Sequence, residues 1–429
     1  MTQALGVGIA GLGTVGVGTF KLITEQEQMI TARAGRMVEV VSVASRSQNK
    51  ERGIDTSNLT WHTNTIDIAS DDNVDVVVEA IGGDEGIAKE LCEAALRGGK
   101  HVVTANKALI AKHGLELAEL AANNNVSLLF EAAVAGGIPV LKCLKEGLAA
   151  NQITKIAGIM NGTCNYILTT MKDAKRDFED VLKEAQDLGY AEADPSFDVD
   201  GVDTAHKLSI LASLGFGAKL SFDDVHIEGI RDIAIEDIEQ ADRWGYKIKL
   251  LGICKHKAGS IEQAVYPAMI PNHYPIASID GVDNAIFIES NAVGKSVLVG
   301  PGAGSLPTGS SVVADIIDIA AGRAGKPFNC DIDQLKAAKF SSIDQHEGSY
   351  YLRLTVKDEA GVLAKLTDIL QSKGISLESV GQNPIKDKDA VHVVGMTHVT
   401  SESVIAGAKV DLAAIDAVLE PVCVIRIER

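Results

Sequence analysis

The chain has 429 residues, 46% of them hydrophobic and 23% charged, with a formal net charge of −18. That length exceeds one hydrophobic core and predicts two or three domains, while the negative balance excludes nucleic acid and anionic membranes as natural partners. No apolar run approaches the roughly 20 residues of a membrane span, and the N-terminus lacks a basic-then-apolar signal pattern.

Leu5 to Ala10 is an apolar run that enters Gly11-Leu12-Gly13-Thr14-Val15-Gly16. A strand feeding a Gly-x-Gly-x-x-Gly turn and then a helix is the setting in which that pattern binds a dinucleotide pyrophosphate. The helix directs free N–H groups and a positive dipole end at the phosphates. Met37 to Ala44 predicts the next strand, ending at Ser45-Arg46-Ser47. A carboxylate there would favour NAD; hydroxyls and the Arg46 guanidinium suit a 2′-phosphate, so NADP is favoured with NAD left open. Arg46 can also be read as a solvated loop charge.

Val74–Ala80, His101–Ala105 and Val126–Phe130 predict further strands, with helices over Ile87–Arg97 and Leu115–Asn123. Residues 1–150 therefore read as α/β, a Rossmann-type doubly wound parallel sheet. Beyond it, strands over Gln152–Met160, Ile261–Met269 and Ala285–Ser290 mix with helices over Tyr166–Lys172, Phe178–Leu188 and Asp203–Leu214. That predicts an α+β substrate-binding and oligomerisation domain over 151–325, with a mainly antiparallel sheet. Gly300 to Gly304 and a helix over Ser311–Gly322 form a segment, about 300–325, that returns to the first domain. Residues 327–348 read as a linker. The tail, 349–429, runs β-α-β-β-α-β, a ferredoxin-like order.

Four segments offer chemistry. Gly189 to Lys207 holds five carboxylates, the last of them Asp203, which stands four residues before Lys207 on one helix face, where they can pair. A lysine in a closed cleft can exchange protons; the alternative is a solvated ion pair. Thr104-Ala105-Asn106-Lys107 falls at the carboxyl edge of the sheet, where a nicotinamide would lie. Asn161-Gly162-Thr163-Cys164 leads into a helix suited to a carboxylate. Cys164 reads as a small buried thiol in preference to a nucleophile. Glu131 to Pro139 offers one carboxylate and turning carbonyls to a hard cation. The six cysteines are scattered with no Cys-x-x-Cys pair, which predicts free thiols in a reducing cytoplasm.

Taken together, these motifs resemble the long homoserine dehydrogenases that end in an ACT domain, and the match spans essentially the whole chain. The resemblance implies reversible NAD(P)H-dependent reduction of L-aspartate 4-semialdehyde to L-homoserine, on the branch toward threonine, isoleucine and methionine. It makes Lys207 the proton donor, Asp203 its orienting carboxylate and Lys107 a second cation at the reacting oxygen. Glu192 and Asp198, with Gly162 and Thr163, bind the amino-acid end. Gly11, Leu12, Gly13, Thr14, Val15, Gly16, Arg46, Thr104, Lys107 and Gly304 hold the cofactor. Glu131, with the carbonyls of Val134, Gly136 and Ile138, forms a structural sodium site. The tail becomes a regulatory module binding threonine near Asp358-Glu359-Ala360-Gly361, in a homodimer or homotetramer. Two other classes compete: a phosphorylating semialdehyde dehydrogenase using Cys164, and a non-enzymatic amino-acid sensor.

Overall fold

A computed structural model describes residues 3–257, 259–385 and 389–429. The first sheet holds β1 (Leu5–Ala10), β2 (Val38–Ala44), β3 (Thr60–His62), β4 (Val76–Glu79), β5 (His101–Thr104) and β6 (Leu128–Leu129). Its order is β3-β2-β1-β4-β5-β6, and every pairing is parallel. The order reverses between β1 and β4, which opens a crevice at their carboxyl ends. Val7, Ile9, Val76, Val78 and Val103 are buried in the sheet's core. β-Branched side chains suit that fully covered, pleated surface.

The second sheet adds β7 (Ile153–Ile159), β8 (His226–Ile227), β9 (Tyr246–Lys257), β10 (Ser260–Pro271), β11 (Asp283–Ser290) and β12 (Gly294–Pro301). β13 (Glu347–Lys357), β14 (Leu377–Pro384), β15 (Ala390–Thr397), β16 (Thr400–Ser401) and β17 (Cys423–Ile427) complete it or flank it. The main path runs β12-β11-β7-β9-β10-β17-β13-β15-β14. Antiparallel pairing dominates the middle part, as the sequence implied. β9 and β12 go beyond the sequence reading; in β9, Lys247, Lys249, Lys255 and Lys257 dilute the apolar signal.

The tail is fused to the middle sheet. β17 pairs with β10 in parallel at Ala268↔Arg426 and Met269↔Ile427. Ion pairs close the seam around that short register. Arg353 Nε and Nη2 donate to Asp237 Oδ1 and Oδ2 at 2.6 and 3.0 Å. Arg426 donates to both oxygens of Glu228 and both of Glu402, at 2.6–2.9 Å. Lys155 and Tyr266 donate to Glu428 at 2.8 and 2.9 Å.

Two expectations need correction. Residues 327–348 are not a free linker: Phe328 and Leu335 are buried, and bridges join Ala218 to Lys336 and Ile261 to Phe340. Phe328 packs on Phe130 with ring centroids 5.4 Å apart, so apolar burial anchors a segment whose composition is polar. The returning helix spans Ser305–Ala320, starting six residues before the expected Ser311. Pro307 sits in its first turn, where the missing N–H has no intrahelical partner to lose. A Cβ on Gly309 would lie 2.8 Å from Gly18 of the helix Thr14–Glu25, so the two helices touch backbone to backbone.

Candidate active site

The Gly-rich turn divides its labour among three glycines. Gly11 has φ +97°, and a Cβ there would lie 2.4 Å from Ala80 O. A Cβ on Gly16 would lie 1.9 Å from Gly11 O, so this glycine lets helix meet strand. Gly13 has nothing within 4 Å of its would-be Cβ among the described residues, leaving open ground before the helix N-terminus. That cradle fits a dinucleotide pyrophosphate. Thr14, Val15 and Gly304 line the adjoining cavity, and Ser305 Oγ donates to Thr14 O at 2.8 Å.

Leu12 is buried and its carbonyl accepts from Arg52 Nε at 3.1 Å. Arg52 also donates to Ser45 Oγ at 3.1 Å and lies over Trp61. Arg46 is exposed. The sequence reading chose Arg46 because it follows the strand directly; Arg52, seven residues beyond Ser45, is brought back by the loop.

Thr104 is buried, and its Oγ donates to Glu79 Oε2 at 2.5 Å. Glu79 Oε1 accepts from the backbone N–H groups of Ile81 and Gly82 at 2.8 and 3.0 Å. One buried carboxylate thus ties the ends of β4 and β5 together. The sequence reading passed over it, although a carboxylate closing an apolar strand before Gly82-Gly83 was a usable sign. Asn106 caps the helix Lys107–Asn123, accepting from Leu109 N at 3.1 Å.

That cap sets Lys107 in the first turn, where the helix dipole disfavours a cation. Asp203 offsets this: Lys107 Nζ lies 2.9 Å from its Oδ1. Lys207 Nζ donates to Asp203 Oδ2 at 2.7 Å and to Met160 O at 2.6 Å. Asn161 Nδ2 donates to Asp203 Oδ2 at 2.8 Å and to Asp198 Oδ1 at 2.7 Å. The helix Val202–Phe216, which carries Asp203 and Lys207, is buried along almost its whole length. It lies between the helix Lys107–Asn123 and strands β7, β9 and β10, so this pair is not a solvated one.

Burial separates the two lysines. Attraction to Asp203 outweighs desolvation at Lys107, whose pKa is raised. Lys207 is more deeply enclosed, and desolvation lowers its pKa. Burial opposes ionisation of Asp203, but the two lysines hold its carboxyl well below the usual range. Burial, then the nearby Asp203 charge, raises Asp198.

A cavity of about 590 Å³ joins these groups to the Gly-rich turn. Its wall includes Gly162, Thr163 and Tyr190. Thr163 Oγ donates to Tyr190 O at 2.7 Å. Glu192 is exposed and stands outside this wall, near enough to contribute to the field at Lys107. Cys164 is fully buried, its Sγ 3.3 Å from Asp198 O, and desolvation pushes its thiol up. A thiol so placed is a poor nucleophile.

Glu131 is buried and its carboxylate is engaged by backbone amides. Its carboxylate oxygens accept from Leu141 N and Lys142 N at 2.9 and 2.8 Å. Burial and the neighbouring Asp315 push it up to about 8. Gly136 O already accepts from Ser311 Oγ at 2.7 Å. Among the described residues, no group of three or more His, Cys, Asp or Glu could hold a metal, and no helix is long and apolar enough to cross a membrane.

A pyrophosphate cradle opening onto two lysines that share one aspartate defines a nicotinamide-dependent oxidoreductase. Comparison with known proteins narrows this. Family models for homoserine dehydrogenase, its NAD-binding domain and the ACT domain match residues 139–317, 11–131 and 350–416. Homoserine dehydrogenase of Pseudomonas aeruginosa is 45% identical over 99% of this chain and 98% of its own. That of Bacillus subtilis is 41% identical over 99% of each. The crystal structure of a homoserine dehydrogenase from Thiobacillus denitrificans superposes with a TM-score of 0.93 at 44% identity, covering 99% of this chain and 98% of that one. A hyperthermophilic archaeal homoserine dehydrogenase in complex with NADPH gives 0.64 at 29%, over 74% of this chain and 98% of its own. The chain belongs to the homoserine dehydrogenase family, as an NAD(P)-dependent oxidoreductase acting on a CH–OH group with a C-terminal ACT domain.

Proposed function

We propose that the protein reduces L-aspartate 4-semialdehyde to L-homoserine, reversibly, at the branch toward threonine, isoleucine and methionine, in a reducing cytoplasm. The observation that carries this is the third proton of Lys207. An ammonium has three N–H donors; Asp203 and Met160 take two, and Lys207 lines the cavity. The remaining proton serves the substrate oxygen. NAD(P)H, when bound, supplies the hydride to the aldehyde carbon. Lys207 gives its proton to the oxygen as negative charge develops, and Lys107 adds electrostatic stabilisation there. Asp203 aligns both ammonium groups.

Asp198 receives the substrate ammonium, with Glu192 adding charge from the rim. The amides of Gly162 and Thr163, at the start of the helix Gly162–Ala174, receive its carboxylate. NADP is the preferred cofactor: Arg52 at the end of β2 supports this alongside Arg46, and the archaeal relative was solved with NADPH. A sodium ion, in a structural role, would be held by carbonyl oxygens of Glu131, Val134, Gly136 and Ile138, with the Glu131 carboxylate serving as a brace. Six free cysteines support the reducing compartment.

Threonine is the proposed feedback inhibitor, bound at the exposed Asp358–Gly361 turn. Gly361 there has φ +89° and opens the helix Val362–Ser372. The proposed assembly is a homodimer or homotetramer. The apolar face carrying Ile159, Ile253 and Phe287 is covered within the chain by Ile276, Ala277 and Ile343. Among the described residues the sheet ends in edge strands β12 and β14, which supports pairing with another copy.

The test is homoserine-dependent reduction of NADP⁺ and NAD⁺ by the full chain, with and without threonine. Turnover with NADP⁺ is expected. No turnover with either cofactor would remove the reading; turnover indifferent to threonine would remove only the regulatory part.

A further inference from the structure

The middle domain holds another buried lysine. Lys249 of β9 is 2% exposed and stands outside the wall of the catalytic cavity. Its Nζ donates to Asn165 Oδ1 at 2.8 Å, to Ile279 O at 2.7 Å and to Asp280 Oδ1 at 2.8 Å. An ammonium has three N–H donors, and here all three are taken. Lys207 keeps a proton for the substrate; Lys249 keeps none and is a tether. We propose that Lys249 is a positioning residue for the substrate: it pins the segment 279–283 to the helix Gly162–Ala174 and so holds the amides of Gly162 and Thr163 where the substrate carboxylate docks. This rests on the carboxylate assignment made above.

The tether is built from both sides. Asn165, in the first turn of the helix, donates through Nδ2 to Ile279 O and to Asp283 O, each at 3.1 Å, and so bridges the two ends of the segment. One turn further on, Thr169 Oγ accepts from Gly281 N at 3.2 Å. Lys247 Nζ donates to both oxygens of Asp280, at 3.1 and 2.8 Å. Hydrogen bonds from an ammonium are stronger than neutral ones, so one Lys249 side chain gathers three oxygens that would otherwise separate. Without it Asn165 loses the partner that fixes which way its amide faces.

The held segment bears directly on the substrate site. A Cβ on Gly162 would lie 2.6 Å from Val282 O, so the segment touches the helix start backbone to backbone. Val282 lines the catalytic cavity together with Gly162 and Thr163. Misplacement of a binding group by about 1 Å can cost roughly 10²-fold. Lys107 and Lys207 sit on other helices, so releasing the segment should penalise recognition of the carboxylate and spare the chemistry.

The experiment is steady-state oxidation of L-homoserine by the full-length protein with oxidised cofactor saturating, in wild type, Lys249→Met and Thr169→Val. Each is also inhibited competitively with 3-aminopropan-1-ol, which is homoserine without its carboxylate. Wild type should bind homoserine at least tenfold more tightly than this alcohol; equal binding removes the carboxylate assignment and the tether with it. Expected in Lys249→Met is a homoserine Michaelis constant raised at least tenfold, kcat within threefold of wild type and an inhibition constant unchanged within twofold. Thr169→Val, a milder cut in the same tether, should raise the Michaelis constant about threefold with the same pattern, and it decides the matter if Lys249→Met does not fold. With the wild-type preference intact, a homoserine constant that does not move, or one that rises together with the inhibition constant, overturns the role of Lys249 alone.

Discussion

The catalytic cluster and the domain seam bury charge in opposite ways. At the seam, Arg353 meets Asp237 two bonds to two, and Arg426 is gripped by both Glu228 and Glu402. In the catalytic cluster two lysines divide one aspartate, and Asn161 ties that aspartate to a second carboxylate. Matched bidentate pairs satisfy most of their donors and fix geometry. A shared carboxylate leaves protons uncommitted, and the deeper burial of Lys207 moves the two lysines in opposite directions in pKa. Divergent acids and bases in one site are what proton transfer needs. Burial alone therefore does not mark a catalytic charge; incomplete pairing beside a cavity does.

The sharpest way to break this contrast is Lys207→Ala. General acid catalysis typically contributes about 10²–10⁴-fold. Turnover should fall within that range while the homoserine Michaelis constant changes little, since the proton matters only as the alkoxide forms. Near wild-type steady-state turnover would make Lys207 structural, like the seam arginines.

The seam should respond in stability. Arg353→Met strands Asp237, which is fully buried, and removal of one partner from a buried pair costs about 3–5 kcal/mol. Denaturant unfolding of Arg353→Met and of the double variant Arg353→Met/Asp237→Leu tests this. The double variant should recover most of the loss; if it is no more stable than the single one, the pair is not the unit of stability.

A subtler expectation concerns pH. Homoserine oxidation needs Lys207 neutral, to accept the hydroxyl proton. kcat/KM should therefore rise with pH and level off, with its inflection below the ordinary lysine value, because Lys207 is lowered. Lys107 contributes to that lowering. The residual activity of Lys107→Met should show the inflection displaced upward. An unmoved inflection would mean the lysines do not interact as their shared aspartate implies.

The smallest effect is assigned to Glu192→Gln. An exposed charge acting across solvent contributes up to about 1 kcal/mol, roughly fivefold. The homoserine Michaelis constant should rise by no more than that, and less at high salt. A hundredfold rise would show that Glu192 enters the cavity when substrate binds.

Much of this was legible in the chain itself. The Gly-x-Gly-x-x-Gly turn is contiguous, so its backbone demands are written in neighbouring residues. Asp203 and Lys207 share a helix, and helical periodicity alone places them together. The strand and helix order of the tail was legible for the same local reason. Tertiary structure decided what depends on distant segments meeting. Lys107 reaches Asp203 only because two helices from different domains pack together. Arg52 comes to the end of β2 by a loop return, and Glu79 to Thr104 by parallel strand pairing. The polar segment 327–348 is held by Phe328, whose partner Phe130 is remote in the chain. The Glu131 carboxylate meets the amides of Leu141 and Lys142 where the chain turns back on itself. In each case the deciding term is burial or a hydrogen bond between groups whose separation in space the sequence does not encode locally.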